Sequence, residues 1–426
     1  MATIRCSCRT VSTSPSRKWT PRRRIASAIV RGRCSNSWPP ALADDRPVGG
    51  FGLYVHWPFC QAKCPYCDFN SHVAREIDQT AWARAYLSEI DRVAAELPGR
   101  ILSTIYFGGG TPSLMPPDTV AAIIERARQH WPASNDMEVT IEANPGSVEA
   151  GRLAGYRDGG VNRVSMGIQA LNDTDLRRLG RIHTVAEAHR ALDIARNTFA
   201  RVSFDLIYAR QDQTLRQWRN ELTQALSMAV DHLSLYQLTI EAGTAFGARH
   251  EAGKLRGLPG EDLAADMFDA TQEICEASGF AAYEVSNHAA SGAESRHNLI
   301  YWRCGDYVGI GPGAHGRITV GGRRLATESP LAPGRWLHHV GRGSGETVRT
   351  ELTGREQAEE HVMMGLRIRE GLDMARFAAL NGAPFGSDRV GRLAELGMIE
   401  VADGRLAATR RGRTVLNAVI RDLLAD

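Results

Sequence analysis

Two rhythms of hydrophobic and polar positions alternate from residue 51 onward. Short apolar, β-branched runs recur at 51–56, 103–107, 138–142, 163–168, 202–208 and 232–240, and they read as buried strands. Between them, apolar residues return every three or four positions. Trp82, Tyr86, Ile90, Val93 and Leu97 form one helical stripe, with Asp78 and Thr80 as start signals. Val120, Ile123 and Ile124 form another behind Pro116 and Pro117. Six strand–helix units in succession predict a parallel β/α architecture. A closed barrel of this kind needs eight strands. The expectation is therefore an incomplete (βα)6 parallel barrel spanning residues 48–290.

The rhythm changes further along. A strand is expected at 281–285, and a Gly-rich stretch runs over 305–316. Residues 291–350 accordingly read as a Gly-rich connecting region. Helical spacing resumes after residue 351, with Met363, Leu366 and Ile368 ahead of Gly371, then Val390, Leu393 and Leu396. Asp403-Gly404 favours a tight turn between strands at 399–401 and 406–408. A last helix is expected at 413–424. Residues 351–426 thus read as a mainly helical, winged-helix-like C-terminal domain, expected to pack or to cover a substrate rather than to bind DNA.

Charge sharpens the division. The formal net charge of +3 hides a split. Residues 1–50 hold ten Lys/Arg against Asp44 and Asp45, a net of +8, and the remainder is net −5. A mildly acidic body gives no case for nucleic-acid binding. No run approaches the length of uncharged apolar residues that a membrane span needs. Residues 1–47 are rich in Arg and Ser and lack folding periodicity. They read as a disordered arm, a targeting peptide, or residues ahead of the natural translation start.

Candidate chemistry begins at Cys60, Cys64 and Cys67, spaced by three residues and then two. Three thiolates can hold three irons of a cubane and leave the fourth open. A zinc site would want a second pair of ligands, and none follows. Eight cysteines in 426 residues are too sparse for a disulfide framework. Cys275 and Cys304 read as buried thiols. In a parallel barrel the chemistry belongs at the C-terminal ends of the strands. Gly108-Gly109-Gly110-Thr111, Glu142-Ala143-Asn144-Pro145, Gln169 and Asp205 all fall there.

Taken with Y-F-G-G-G-T-P-S, I-E-A-N-P, S-M-G-I-Q, F-D-L-I-Y and H-N-L-I-Y-W, the cysteine run makes the span from 51 to 424 resemble the radical S-adenosylmethionine (SAM) enzymes. It is most similar to the branch that contains oxygen-independent coproporphyrinogen III oxidase and related heme chaperones. The resemblance implies a six-stranded incomplete barrel and a [4Fe-4S] cluster on Cys60, Cys64 and Cys67, with SAM on the open iron. It implies that Tyr54 and Tyr66 flank SAM and that Gly109, Gly110 and Thr111 receive its amino group. It further implies that Glu142, Gln169, Arg181 and Asp205 contact its ribose or amino-acid end.

Within that branch, two features separate carrier from enzyme. The decarboxylase typically has a fourth cysteine two places after the third, where this chain has Phe69. It also has an N-terminal element for substrate contact, with no counterpart in residues 1–50. The chaperones show C-P-Y-C-D-F-N and H-N-x-x-Y-W, both present here. The implied function is a heme chaperone, with oxidative decarboxylation of coproporphyrinogen III as the alternative. Imidazole is a common heme ligand and aromatic rings can border a macrocycle. Heme contact is accordingly expected at His297, Asn298, Tyr301 and Trp302, with His315 a further candidate. The implied partners are heme, a heme-acceptor protein and an electron donor. An oxygen-labile cluster asks for a reducing compartment, so the cytoplasm is expected. Two loops depart from the branch: Ala209-Arg210-Gln211-Asp212 replaces a Gly-Leu-Pro-like turn, and Ala242 stands where relatives often carry Pro.

Overall fold

Each expected β-branched run forms a strand. In the computed structural model, which describes residues 49–147 and 150–425, these are β1 Phe51–Trp57, β2 Leu102–Gly109, β3 Ala133–Ala143, β4 Arg163–Gln169, β5 Arg201–Tyr208 and β6 His232–Gln237. The 1–47 segment lies outside the described residues. The six strands lie side by side in chain order, and every neighbouring pair is parallel. All seven residues of β1 are buried, as expected for a parallel strand covered on both faces.

The crossovers are helical: α1 Gln79–Glu96, α2 Pro117–His130, α3 Ala150–Asp158, α4 Val185–Thr198 and α5 Leu215–Met228. The α1 stripe of Trp82, Tyr86, Ile90 and Val93 is buried as its spacing requires. Its cap is Asp78, whose carboxylate accepts the Ala81 N–H at 2.9 Å, and not Thr80. Thr184 with Glu187 and Thr214 with Gln217 close reciprocal capping boxes at the starts of α4 and α5. Behind α5 lies α6, Glu261–Ala277, joined to it where Trp218 Nε1 donates to Thr271 Oγ1 at 2.8 Å.

Two expectations need correction. The strand expected at 281–285 is only β7, Ala281–Ala282, followed by an antiparallel partner β8, Asn287–Ala289. Residues 291–350 are not a connector. They hold a helix, α7 Arg296–Trp302, and strands β9 Asp306–Ile310, β10 His315–Val320, β11 Arg323–Glu328 and β12 Val348–Glu351. Strand β9 pairs in parallel with the free edge of β1, so the parallel run has seven members. The twelve-stranded order is β12-β11-β10-β9-β1-β2-β3-β4-β5-β6-β8-β7. Glycine concealed the start of this segment. A Cβ on Gly309 would lie 2.0 Å from His315 O, and one on Gly305 would lie 2.6 Å from Gly49 O. Backbone meets backbone where side chains would otherwise show the period of a strand.

The C-terminal residues form a second core around Val362, Leu366, Phe377, Leu393, Ile420 and Leu423. Helix α8, Gly354–Gly365, leads into β13 Leu372–Asp373, and the expected hairpin is β14 Ile399–Ala402 with β15 Arg405–Ala408. Asp403 and Gly404 turn it with φ of 50° and 75°. The expected last helix is two, Arg410–Thr414 and Leu416–Leu424. This unit is tied to the sheet by backbone. Glu284 bridges Ile368, and Arg369 N–H donates to Tyr283 O at 2.9 Å. No helix among the described residues is long and apolar enough to cross a membrane.

Candidate cluster and cofactor site

The cysteine loop leaves β1 and lies over the C-terminal end of β2. Two backbone bonds fix it there: Gly110 N–H to Trp57 O at 2.7 Å and Thr111 N–H to Phe59 O at 2.8 Å. Glycine is required at this crossing. A Cβ on Gly110 would stand 2.6 Å from Phe59 O and 3.0 Å from Cys60 Sγ. Gly109 has φ of +116°, and its Cβ would meet the His56 ring at 2.7 Å. The far end of the loop is pinned by Asn70, whose Nδ2 donates to Pro312 O at 2.9 Å and to Leu331 O at 2.8 Å. Asn70 lies inside the C-P-Y-C-D-F-N run, but nothing local says where its amide reaches.

One hydrogen-bonded chain joins the first two cysteines. Thr111 Oγ1 donates to Cys60 Sγ at 3.4 Å and accepts from Asn144 Nδ2 at 2.9 Å. Asn144 Oδ1 accepts from Arg181 Nη2, which also donates to Gly167 O at 2.8 Å. Arg181 Nη1 then reaches Cys64 Sγ at 3.3 Å. Arg181 therefore sits against a cysteine, at the end of the cavity where the loop lies. Asn144, singled out only as part of a motif, is the hub. Burial is the main influence on the sulfurs of Cys60 and Cys67. It pushes the Cys60 thiol up and the Cys67 thiol up to about 11. Binding iron as thiolates must then release protons.

A cavity of about 520 Å³ opens beside this loop. Its wall includes Cys60, Cys64, Tyr66, Cys67, Gly109, Gly110, Thr111, Glu142, Gln169, Arg181 and Asp205. Glu142 accepts from Tyr106 Oη at 2.9 Å and from Gly109 N–H at 3.2 Å. Gln169 has φ of 75°, the left-handed region a side chain rarely adopts, and the β4–β5 ladder shifts register just before it. Burial pushes the Asp205 carboxyl up, and the Glu142 charge adds to that. Glu284, which the sequence reading missed, is on the same wall. Burial raises it too, opposed by donors from Asn287 and Ser286. Its only sequence signal was a lone acid inside an apolar run.

Tyr54 is not on the wall. It is buried, lies 6.3 Å from the Tyr106 ring, and hydrogen-bonds His56 Nδ1 at 3.0 Å. His56 Nε2 in turn reaches Asn70 O at 3.0 Å, so Tyr54 supports the cysteine loop from below. The H-N-L-I-Y-W run is α7, and its members part company. Asn298 and Trp302 line the cavity. His297 is fully buried, with Nδ1 2.7 Å from Thr104 Oγ1 and Nε2 2.7 Å from Tyr301 Oη, and it stacks on Tyr106 at 5.0 Å. In this conformation neither ring nitrogen is free to face an iron, and Tyr301 is spent on holding the ring. His315 is off the wall, at the start of β10, 3.9 Å from Glu328. Cys275 and Cys304 are buried thiols, as expected.

The Radical SAM superfamily model matches residues 54–223, and the HemN C-terminal domain model matches residues 352–415. The chain is 39% identical over 387 residues to Radical S-adenosyl methionine domain-containing protein 1, mitochondrial, of Bos taurus, covering 88% of this chain and 87% of that one. It is 38% identical over 338 residues to Heme chaperone HemW of Escherichia coli, covering 78% and 86%. The chain belongs to the HemW-like branch of the radical SAM family. Its fold is that of the coproporphyrinogen III oxidase HemN from Escherichia coli, with a TM-score of 0.74 at 22% identity over 90% of this chain and 91% of that one. The family implies a [4Fe-4S] cluster and SAM, and the loop fits them. Among the described residues, no three His, Cys, Asp or Glu side chains converge on a point fit for a single metal ion. A cubane asks for something different, one thiolate on each of several irons. Three partly exposed thiols, one receiving a hydrogen bond from a hydroxyl and one from a guanidinium, with side-chain-free backbone alongside, meet that need.

Proposed function

We propose that this protein binds heme and passes it to an acceptor protein. A [4Fe-4S] cluster on Cys60, Cys64 and Cys67, with SAM beside it, accompanies that role. The observation that carries the reading is the cavity itself. It runs from the cysteine loop to Asn298 and Trp302 of the H-N-L-I-Y-W helix, with Phe69 on its wall where the decarboxylase has a fourth cysteine. The relatives that this chain covers well support it, Heme chaperone HemW of Escherichia coli among them.

When bound, the cluster and SAM supply one-electron chemistry, with an electron donor as a further partner. The chain's own residues orient and exclude. Gly109 and Gly110 bring backbone close to the cofactor, and Thr111, Asn144 and Arg181 hold the cysteine loop. Glu142, Gln169 and Asp205 offer polar contacts to the ribose and amino-acid end. Tyr66 closes the side. Asn298 and Trp302 border the heme face. His297 can serve as a heme ligand only if it leaves Thr104 or Tyr301. The cytoplasm suits a cluster that needs a reducing milieu. The relatives named as mitochondrial point to a second compartment that meets the same need.

The test is anaerobic cluster reconstitution, then heme titration and a coproporphyrinogen III assay on one sample. Stoichiometric heme binding without decarboxylation is the expected result. Robust turnover of coproporphyrinogen III would replace the carrier with the enzyme. Absence of heme binding with an intact cluster would remove the carrier reading altogether.

A further inference from the structure

The cavity wall carries two cationic side chains, Arg181 and Arg367. Arg181 is committed at the cysteine end to Cys64, Asn144 and Gly167. Arg367 enters from the C-terminal domain. The Glu284–Ile368 bridge and the bond from Arg369 N–H to Tyr283 O hold its backbone against the sheet. That places Arg367 on the same wall as Val285, Asn298 and Trp302. Its Nη1 donates to Met363 O at 2.7 Å, which orients the guanidinium and leaves Nε and Nη2 for another acceptor. Among the described residues Arg367 makes no ion pair. The nearest carboxylate in sequence register, Glu284, is occupied by Ser286 and Asn287. The wall's other acids are Asp68, Glu142, Asp205 and Glu241. A partly buried cation left without a carboxylate on a cavity wall is matched to an anionic ligand group.

We propose that this end of the cavity is a carboxylate-binding subsite, in which Arg367 pairs with a propionate of a tetrapyrrole bordered by Trp302 and Val285. The subsite rests on the heme-binding reading above and adds to it. Through Arg367 the C-terminal domain reads the acid groups of the ligand. SAM would place its own carboxylate at the opposite, cysteine end, so the two ligands do not compete for this arginine.

The experiment titrates the reconstituted full-length protein with heme and with heme dimethyl ester, which differ only in the two carboxylates. The wild type is expected to prefer the free acid by about tenfold. Arg367→Gln is expected to bring heme down to the affinity of the ester and to leave the ester and SAM unchanged. Arg367→Lys keeps the charge without the planar fork and is expected to retain the preference in part. Its comparison with wild type decides the matter should the glutamine variant also lose SAM binding. Equal affinity of the wild type for both ligands, or an undiminished preference in Arg367→Gln, overturns the subsite. Failure of the wild type to bind either ligand with its cluster intact is a different outcome. It removes the heme reading, and the subsite with it.

Discussion

Asn144 joins the first two cysteines through Thr111 on one side and Arg181 on the other. Replacing it by Ala leaves a buried hydroxyl and a guanidinium each short of a partner, a loss of about 1–3 kcal/mol of local interaction. Asn144→Ala is therefore expected to keep its iron content while binding SAM roughly tenfold more weakly, as read by equilibrium titration. Unchanged SAM affinity would show that the cysteine loop holds its shape without this bridge. At this scale the sequence was informative about polar residues at strand ends. Glu142 and Gln169 reach the cavity from the last two residues of their strands, and Asp205 from within β5, three residues before its end. It was uninformative about Tyr54 and His297. Tyr54 sits in the middle of β1, where a phenol is as well suited to packing as to a ligand. His297 has the chemistry of a ligand and the surroundings of a strut.

Among the elements, the turn after β5 is the local departure with a structural cost. Ala209 is buried with φ of 57°, a region that glycine adopts without a Cβ penalty. The left-handed region brings a Cβ against the following carbonyl at a cost of about 1 kcal/mol. Ala209→Gly is expected to raise stability by about that amount, checked by the midpoint of urea unfolding. A lowered midpoint would mean that the Ala209 methyl contributes more by packing than its backbone loses. Gln169, with φ of 75°, is different, because its side chain is on the cavity wall and the strain is stored where a ligand can use it. The strands of the front half and the Asp403-Gly404 hairpin were legible because each bears its own period or turn signal. Strands β9 and β10 were not, because Gly309 and Gly316 took places where alternation would have shown.

For the whole molecule, the buried polar layer beneath the cavity sets a pH response. Burial lowers His297 from 6.5 to about 3 and His56 from 6.5 to about 4. Below about pH 6.5 the unfolded chain binds protons that the folded chain refuses. The stability these residues contribute is full above that pH and is lost as the pH falls toward 4, by up to ~1.4 kcal/mol per unit for each. Asp205 and Glu284, raised by burial, act in the opposite sense: the stability they contribute is present at low pH and lost as pH rises. The urea midpoint of the metal-free protein is expected to drop between pH 7 and pH 5, and His297→Gln is expected to flatten that slope; a midpoint level across this range would contradict the neutral, buried imidazoles. By itself the sequence determined the parallel strand–helix order, the stretch in which α1 starts, the cysteine loop and the polar residues around it. Each of these is a local pattern of burial or turn chemistry. Only the tertiary structure decided which residues of H-N-L-I-Y-W face the cavity, that β9 extends β1, and that Asn144 and Arg367 belong to the site. Those outcomes depend on which donor meets which acceptor across the fold. Thr104 and His297 meet across 193 positions of chain, a pairing that no local pattern encodes.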